Sequence, residues 1–331
     1  MARIQENGPI LIAGAGAIGS VMGAMLRAAG HEVAMLGRRA HLDAVARNGL
    51  RLTGLFGERV VRGFTLAERA AELDRRFDLV LLTVKSYDTA AIAAELSPIL
   101  APDGLVVSMQ NGVGNIETLV ERFGAARVLG GRVIFGAEME SPGAVRVTVF
   151  AEPVAVGPAP YMQGEESARL VERARAVAAM LTQAGIPTEA CADVMPYLWT
   201  KLFYNAALNP LGALLGLHYG ALAEDPDLRA IMNDAIDEAF AVARRTNVAV
   251  PFKDADAYRG VFYEKLVPST FHHRPTMLYD LERRGRTDVD ALNGKVVELA
   301  ERFGLEAPVN RMLTRLVRAR ERLQKEKSEQ S

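Results

Sequence analysis

The stretch that decides the fold is Pro9-Ile-Leu-Ile-Ala-Gly-Ala-Gly-Ala-Ile-Gly19, near the amino terminus. Its first five residues form a short apolar run, as in a buried strand of a parallel sheet. Residues 20–29 are mainly small or apolar, as in a closely packed helix, and Gly30 ends that run. A glycine-rich turn directly between a buried strand and a helix predicts the start of a βαβ unit.

The glycines of this turn have the spacing of a cradle for dinucleotide phosphates. Gly14 permits a tight turn, Gly16 lets a pyrophosphate approach the backbone, and Gly19 allows the helix to pack closely on the strand. The first turn of the helix adds free N–H groups and a partial positive charge. We therefore predict cofactor contacts along the whole motif, at Gly14, Ala15, Gly16, Ala17, Ile18 and Gly19. The alternative is a glycine-rich turn that binds nothing.

Strands and helices alternate after this motif. In chain order they are a strand at 31–36, a helix at 39–48, a strand at 78–84, a helix at 87–100 and a strand at 105–109. Such alternation is typical of parallel sheets covered by helices on both faces. The sequence therefore predicts an α/β fold with an N-terminal Rossmann-type doubly wound parallel sheet.

The pattern changes beyond the last of these strands. Residues 132–139 and 144–150 flank the turn Ser141-Pro-Gly143, which predicts a hairpin, and residues 153–157 are expected to add a third strand. Together these strands are predicted to form an antiparallel extension of the sheet. We place the end of this first domain, which carries the dinucleotide motif, at residue 190, so that it spans 1–190. From there on, apolar and charged residues recur at helical spacing. Residues 191–331 are accordingly predicted to form an all-α C-terminal domain that binds the substrate.

Composition narrows the classes of partner. The chain has 331 residues, with 39 basic and 40 acidic side chains and a formal net charge of -1. Such a balance creates no global field that attracts nucleic acid or an anionic membrane, and we expect neither as a partner. The apolar run at residues 8–26 holds several glycines, which argue against a secretion signal or membrane anchor. Cys191 is the only cysteine, so no disulfide can form within the chain and a cytoplasmic location is expected.

The end of the second predicted strand indicates which dinucleotide fits. An NAD site usually has a carboxylate there for the ribose 2′-hydroxyl, whereas this chain has Gly37, Arg38 and Arg39. Guanidinium groups pair well with phosphate, so we predict NADPH/NADP rather than NAD, with Arg38 as the principal contact. Lys85 and Asn111 follow later strands, at the edge where ligands bind in such sheets. We predict that both belong to the site, the alternatives being a solvated lysine and an ordinary Asn-Gly turn.

A polar stripe interrupts an apolar helix of the second predicted domain. In the run Trp199-Thr-Lys-Leu-Phe-Tyr-Asn-Ala-Ala-Leu-Asn-Pro-Leu211, Lys201, Asn205 and Asn209 recur every four residues and share one face. A charge among large apolar side chains requires either solvent or a partner. The stripe is therefore either a solvated face or one wall of a substrate site.

Taken together, these motifs resemble those of the ketopantoate reductase family over nearly the whole chain. The matching elements, whose joint order is more specific than any one of them, are Gly14-Ala-Gly-Ala-Ile-Gly19, Thr83-Val-Lys-Ser86, Gln110-Asn-Gly112, Lys201-Leu-Phe-Tyr-Asn205, Asn209-Pro-Leu211, Thr276-Met-Leu-Tyr-Asp280 and Arg286-Thr-Asp-Val-Asp290. The resemblance implies an NADPH-dependent reduction of a 2-keto acid to a D-2-hydroxy acid in pantothenate synthesis. It also implies two domains with the substrate between them, and a homodimer.

The resemblance assigns roles to the matching positions. Lys201 matches the catalytic lysine of the family. Asn205 and Asn209 match its substrate-binding asparagines, and Lys85 and Asn111 match positions beside the cofactor.

Further roles follow from looser matches. Ala137 corresponds to another cofactor contact. Thr276 stands where the family commonly has Ser, and we expect its hydroxyl to donate to the substrate carboxylate. Asp288 stands where the family commonly has Glu, and we assign it a catalytic role. It would either accept a hydrogen bond from a substrate hydroxyl or hold the Lys201 ammonium.

Two positions depart from the family pattern. Tyr219 and His273 replace asparagines that shape the acid pocket, which leaves open a related hydroxy-acid dehydrogenase acting on a bulkier substrate. A third reading is a non-catalytic NADP-binding sensor, which would bind cofactor without turnover. No metal site is expected, because His272 and His273 are neighbours that point apart on a helix and lack further ligands at suitable spacing.

Overall fold

The computed structural model describes residues 8–329 and, within them, all side chains except those at 284 and 327–329. The ends of both predicted domains outside these bounds lie outside the described residues. The chain divides into two compact units, residues 1–110 with 115–194 and residues 111–114 with 195–331. The short segment 111–114 thus belongs to the second unit.

The first unit combines strands and helices. Its strands are β1 (Ile10–Ala13), β2 (Val33–Leu36), β3 (Leu50–Gly54), β4 (Arg59–Val61), β5 (Thr65–Ala67), β6 (Phe77–Leu82), β7 (Leu100–Ser108), β8 (Val128–Arg132), β9 (Phe135–Ser141), β10 (Ala144–Phe150), β11 (Val154–Gly157) and β12 (Thr188–Ala190). Its helices are α1 (Ala17–Ala28), α2 (Arg39–Asn48), α3 (Thr89–Leu96), α4 (Asn115–Phe123) and α5 (Gly164–Gln183).

The main sheet has eight strands in the order β12-β11-β8-β7-β6-β1-β2-β5. Its pairs are parallel except β8 with β11, which run antiparallel. The four residues of β1 are buried, as expected for a strand covered on both faces. The predicted Rossmann-type doubly wound sheet with an antiparallel extension is therefore confirmed, and β11 forms that extension.

The predicted hairpin forms, but the prediction that it extends the main sheet is wrong. Strands β9 and β10 pair antiparallel within a separate four-stranded sheet of order β4-β3-β10-β9, which packs against α1. Val145 and Val147 are buried while the intervening Arg146 is exposed, so one face of the hairpin is apolar. An apolar face shows that a hairpin packs on something, but not on which layer.

The predicted helix at 87–100 is too long. The structure ends α3 at Leu96 and begins β7 at Leu100, well before the predicted strand at 105–109. Pro98 has no N–H to donate to the Ala94 carbonyl four residues earlier, which explains why the helical hydrogen bonding stops near Leu96.

The second unit is helical. Its helices are α6 (Met195–Leu215), α7 (Tyr219–Glu224), α8 (Pro226–Arg245), α9 (Ala255–Val261), α10 (Val267–Ser269), α11 (Thr276–Arg284), α12 (Asn293–Arg302) and α13 (Pro308–Glu329), with a π-helical turn at Phe262–Leu266 between α9 and α10. No strand occurs in the described part of this unit, in line with the predicted all-α domain. Aromatic side chains fill its core around α6, where the Phe203 ring lies 5.2 Å from Tyr258 and 6.2 Å from Trp199.

Candidate functional site

The glycine turn after β1 leaves room for a ligand at one position. Gly14 has a φ of +119°, and a Cβ there would lie 2.6 Å from the Val84 nitrogen. A Cβ at Gly19 would collide with the Gly14 carbonyl oxygen. A Cβ at Gly16 would meet nothing within 4 Å, so the backbone there faces open space. The three glycines therefore have the separate roles expected of a phosphate cradle.

Hydrogen bonds show which amides of the turn remain for a phosphate. The N–H groups of Gly14 and Ala15 donate to the Leu36 carbonyl at 3.1 and 2.7 Å, and that of Gly16 donates to Gly14 at 2.7 Å. Ala17 and Ile18 begin α1, where amides have no partner within the helix. Helix N-termini of this kind bind phosphate. The first turn of α1 thus suits a pyrophosphate, while the turn residues shape the approach.

A polar pocket of about 480 Å³ lies where the second strand ends. Its lining residues are Gly37, Arg38, Arg39, Glu68, Arg69 and Glu72. Arg39 pairs with Glu68 at 2.7 Å and Arg69 pairs with Glu72 at 3.1 Å. Among the described residues, the Arg38 side chain has no ion-pair or hydrogen-bond partner, so its guanidinium is the one in this pocket that suits a ribose 2′-phosphate.

The carboxylates and Arg69 of this pocket were missed by sequence reasoning. They follow the three-residue strand β5, which pairs parallel with β2 at the edge of the main sheet. A strand this short carries almost no periodic signal. The sole hint was the run of alternating charge at residues 68–76.

The ends of β6 and β7 form a polar network near the glycine turn. The Thr83 hydroxyl donates to the Gly14 carbonyl at 2.7 Å, and half-buried Lys85 follows two residues later. The Gln110 amide donates to the Val84 carbonyl at 3.0 Å and to the Thr89 hydroxyl oxygen at 2.8 Å. These bonds fix the loop that carries Lys85 against the carboxyl end of the sheet, where ligands bind in this fold.

Ala137 lies in β9, away from the main sheet. It pairs with Val147 of β10 and is partly buried against the core of the first unit. The sheet that holds it packs on α1, the helix that follows the glycine turn. Its cofactor contact stays a prediction.

Asn111 lies in the second unit and contacts the catalytic candidate directly. The Lys201 ammonium donates to its Oδ1 at 2.6 Å. The segment 111–114 is held there because the Val113 N–H donates to the Ala291 carbonyl at 3.2 Å. Position 112 has no room for a side chain, because a Cβ there would collide with the same Ala291 carbonyl. Asn111, expected beside the cofactor, is therefore also positioned to orient Lys201.

The turn that holds Ala291 also brings in Asp288. Asp288 is buried and directly precedes the 3₁₀ turn Val289–Ala291, whose Ala291 N–H donates back to its carbonyl at 3.0 Å. The neighbouring Thr287 is anchored through its N–H and hydroxyl to Glu321, each at 2.7 Å. Asp288, segment 111–114 and Lys201 are thereby linked within one unit.

The two asparagines of the stripe are buried. Asn205 is 6% and Asn209 8% exposed, so the solvated-face interpretation of the stripe does not hold for them. Asn209 accepts a hydrogen bond from the Tyr219 hydroxyl at 2.7 Å. Asn205 has no hydrogen-bond partner among the residues the structure describes. The amide of a largely buried asparagine that has no protein partner is available to a ligand.

Thr276 lies beside the same helix. It is exposed at the first position of α11, and the preceding Pro275 packs on α6, where a Cβ at Gly212 would lie 2.7 Å from its ring. Gly212 is one helical turn beyond Asn209. A substrate beside Asn209 would thus have Thr276 within the same neighbourhood.

Other candidate chemistry finds no support. Burial raises the pKa of the Cys191 thiol to about 12, with Asp193 and Glu189 adding to the effect, which leaves it a poor nucleophile. Within residues 8–329 no group of three histidine, cysteine or acidic side chains has the arrangement of a metal site. No described helix is long and apolar enough to cross a membrane.

Comparisons with known proteins cover both units. A family model described as "Ketopantoate reductase PanE/ApbA" matches residues 10–161, and one described as "Ketopantoate reductase PanE/ApbA C terminal" matches residues 193–321. The chain is 41% identical over 313 residues to 2-dehydropantoate 2-reductase of Aquifex aeolicus, which covers 94% of this chain and 96% of the relative.

Solved structures agree with this match. The crystal structure of a PanE/ApbA family ketopantoate reductase from Ralstonia eutropha JMP134 has a TM-score of 0.83 at 34% identity, covering 96% of this chain and 99% of its own. D-mandelate dehydrogenase, solved with NADH and anilino(oxo)acetate, has a TM-score of 0.84 over 96% of this chain and 99% of its own, but at 23% identity it shows a shared fold alone. The chain therefore belongs to the ketopantoate reductase family.

Proposed function

We infer that this chain is an NADPH-dependent oxidoreductase that reduces 2-dehydropantoate (ketopantoate) to pantoate in pantothenate and coenzyme A biosynthesis. The observation that carries this inference is the 2.6 Å hydrogen bond from Lys201 Nζ to Asn111 Oδ1, on the helix face that also holds two buried asparagines. The 41% identity to a 2-dehydropantoate 2-reductase supports the substrate.

The first unit has the features that NADPH requires. The amides at the start of α1 suit its pyrophosphate, and the pocket with Arg38 suits its 2′-phosphate. We assign Gly14 to Gly19, Arg38, Lys85 and Ala137 to cofactor binding. When bound, NADPH supplies the hydride that reduces the keto carbon.

Lys201 is the proton donor of this proposal. Negative charge develops on the carbonyl oxygen of the keto acid as the carbon is reduced, and this oxygen must be stabilised and protonated. An ammonium can do both, first as a hydrogen-bond donor and then by releasing a proton to the alkoxide. Asn111 Oδ1 orients the ammonium without competing for its proton, because an amide oxygen stays neutral.

The remaining site residues bind the substrate. Asn205 and Asn209 supply neutral amides, and the Thr276 hydroxyl is suited to the substrate carboxylate. Asp288 is proposed to act with Lys201, either by accepting from a substrate hydroxyl or by fixing the ammonium. Its buried position next to the turn that holds segment 111–114 supports a role in that group.

The test is turnover by the purified chain. NADPH oxidation is followed by absorbance with ketopantoate and with 2-keto acids that carry bulkier and aromatic side chains. Higher kcat/KM for ketopantoate, together with growth rescue of a pantothenate auxotroph, is the expected result. Preference for a bulky acid would favour the related hydroxy-acid dehydrogenase. Cofactor binding without turnover on any acid would favour the sensor.

Assembly and location complete the proposal. We propose a homodimer, as the family resemblance implies, and a cytoplasmic protein with no nucleic-acid partner. The single cysteine and the balanced charge of -1 support these two last points. Light scattering of the purified chain measures the assembly, and fractionation of the source cells measures the location.

A further inference from the structure

A buried tyrosine holds one of the two substrate asparagines. Tyr219, the first residue of α7, donates its hydroxyl hydrogen bond to Asn209 Oδ1 at 2.7 Å. Its backbone N–H donates to the His273 carbonyl at 3.1 Å. The rings of Tyr204 and His273 lie 5.5 and 5.2 Å from its own ring. Packing and backbone bonding together fix the Tyr219 hydroxyl in place.

The single hydroxyl proton of Tyr219 sets the direction of its hydrogen bond with Asn209. Burial raises the pKa of Tyr219 well above its usual value, so the phenol keeps its one proton. Asn209 is its side-chain partner among the described residues. If the Asn209 amide were turned round, that proton would have no acceptor there. The Asn209 amide is therefore oriented with Oδ1 toward the Tyr219 hydroxyl.

The other end of the same amide is then the part available to a ligand. Asn209 Nδ2 carries two N–H donors, which have no partner among the described residues although the residue is 8% exposed. The donors of a largely buried amide of this kind are completed by an acceptor from outside the protein, either water or a bound ligand. Asn205, one helical turn earlier, is also buried but has no neighbour that fixes its amide.

We propose that Tyr219 is a positioning residue that makes Asn209 a donor-only contact, so that Asn209 selects a carboxylate or carbonyl oxygen of the bound keto acid. The proposal rests on the function inferred above and says how the site recognises that substrate. The family resemblance implies an asparagine at this position, so Tyr219 is the feature of this chain that would set the orientation.

The first experiment compares Tyr219→Phe with a matched control. Tyr219→Phe keeps the ring and removes the donor, and the expected KM for ketopantoate rises roughly 5- to 10-fold with kcat within about twofold. The dissociation constant of NADPH, measured by fluorescence, stays unchanged. Tyr204→Phe is the control, because its hydroxyl bonds to Thr270 Oγ1 at 2.6 Å rather than to the stripe. It should lower the Tm to a similar extent and leave KM unaltered.

The second experiment asks whether Tyr219 acts through Asn209. Asn209→Ala should raise KM, and adding Tyr219→Phe should then change it no further, because coupled residues give non-additive effects. Asn209→Asp keeps an acceptor for Tyr219 but presents a negative oxygen to the acid, and it should raise KM about 10-fold or more. This variant also provides the test if Tyr219→Phe does not fold.

The outcomes separate the two claims. An unchanged KM in Tyr219→Phe, full additivity with Asn209→Ala, or an unchanged KM in Asn209→Asp would overturn the role of Tyr219 while leaving the reductase assignment intact. Absence of wild-type turnover on every keto acid would overturn the proposed function and this inference with it.

Discussion

Lys201 is the residue whose removal tests the proposed chemistry most directly. Lys201→Ala loses the proton donor, and we expect kcat to fall by roughly 100-fold or more, the usual contribution of a general acid. Steady-state NADPH oxidation measures this fall. Lys253→Ala is the control, because that lysine side chain is 82% exposed and pairs with its neighbour Asp254. Near-normal turnover in a folded Lys201→Ala protein would reject the assignment.

Arg38 tests cofactor selectivity. We expect Arg38→Ala to raise the KM for NADPH roughly 10-fold or more and to leave the KM for NADH nearly unchanged, because a charged hydrogen bond to the 2′-phosphate is lost. Arg39→Ala is the matched control, since Arg39 is already paired with Glu68 at 2.7 Å. Equal Michaelis constants of the wild type for NADPH and NADH would contradict the preference itself.

The shared helix face of the candidate residues was predictable, but their hydrogen-bond partners were not. The four-residue spacing placed Lys201, Asn205 and Asn209 on one helix face without any coordinates. The bond from Lys201 to Asn111 spans 90 positions of sequence, and no local pattern carries information about such a pair. The same holds for Tyr219, whose identity alone suggested a changed pocket but not a fixed Asn209 amide.

Among the elements, α6 lacks one backbone hydrogen bond, and a side chain of another helix replaces it. Pro210 lies inside α6 and has no N–H to donate to the Ala206 carbonyl four residues earlier. The Asn293 side chain of α12 donates to that carbonyl instead, at 2.9 Å, and a second 2.9 Å bond joins it to Asn310. The Ala206 carbonyl lies between Asn205 and Asn209, so α12 supports the part of α6 that carries the proposed substrate-binding residues.

The hydrogen bond from Asn293 to the Ala206 carbonyl predicts a loss of stability in Asn293→Ala that a second substitution should partly reverse. Asn293→Ala leaves the buried Ala206 carbonyl unpaired and should lower the free energy of unfolding by roughly 1–3 kcal/mol. Adding Pro210→Ala restores an N–H at position 210, and the double variant should regain part of the loss. Urea unfolding measures both, with exposed Asn48→Ala as the control. A double variant less stable than Asn293→Ala would show that the proline does not create the need.

Element prediction succeeded where hydrophobic runs were long. Strands such as β6, in which nearly every residue is buried, have the continuous apolar sequence that predicts a parallel sheet. Strands β4 and β5 have three residues each, too few for any periodicity, so the second sheet and the carboxylates of the ribose pocket stayed invisible. Pairing partners depend on tertiary packing, which is why the hairpin was assigned to the wrong sheet.

On the scale of the whole molecule, each unit has its own apolar core and its own share of the chemistry. The first unit holds the proposed phosphate cradle and the Arg38 pocket, and the second holds Lys201, Asn205 and Asn209. The switch from alternating strands and helices to helices alone predicted the two kinds of architecture. The membership of segment 111–114 in the second unit was not predictable, because it follows a strand of the first unit in sequence.

The layers of the first unit meet at a buried histidine. His41 of α2 accepts the Gly143 N–H at Nδ1 at 3.0 Å, so its other nitrogen carries the proton and donates to Ser20 Oγ of α1 at 3.1 Å. Gly143 belongs to the turn between β9 and β10, so this one side chain joins two helices and the second sheet. Protonation of His41 at Nδ1 would bring its new N–H against the Gly143 N–H, so this hydrogen bond would be lost.

Stability should therefore depend on pH in a defined direction. Burial lowers the pKa of His41 below its ordinary 6.5, so the unfolded chain binds a proton before the folded one does. The stabilisation is complete above about pH 6.5 and is lost as the pH falls below it, with a slope of up to about 1.4 kcal/mol per pH unit. His31, whose pKa burial also lowers, adds in the same direction. Urea unfolding of His41→Gln between about pH 5 and pH 8 should show a shallower slope than the wild type, whereas exposed His272→Gln should not. Equal slopes for His41→Gln and the wild type would show that His41 does not contribute to the pH dependence of stability.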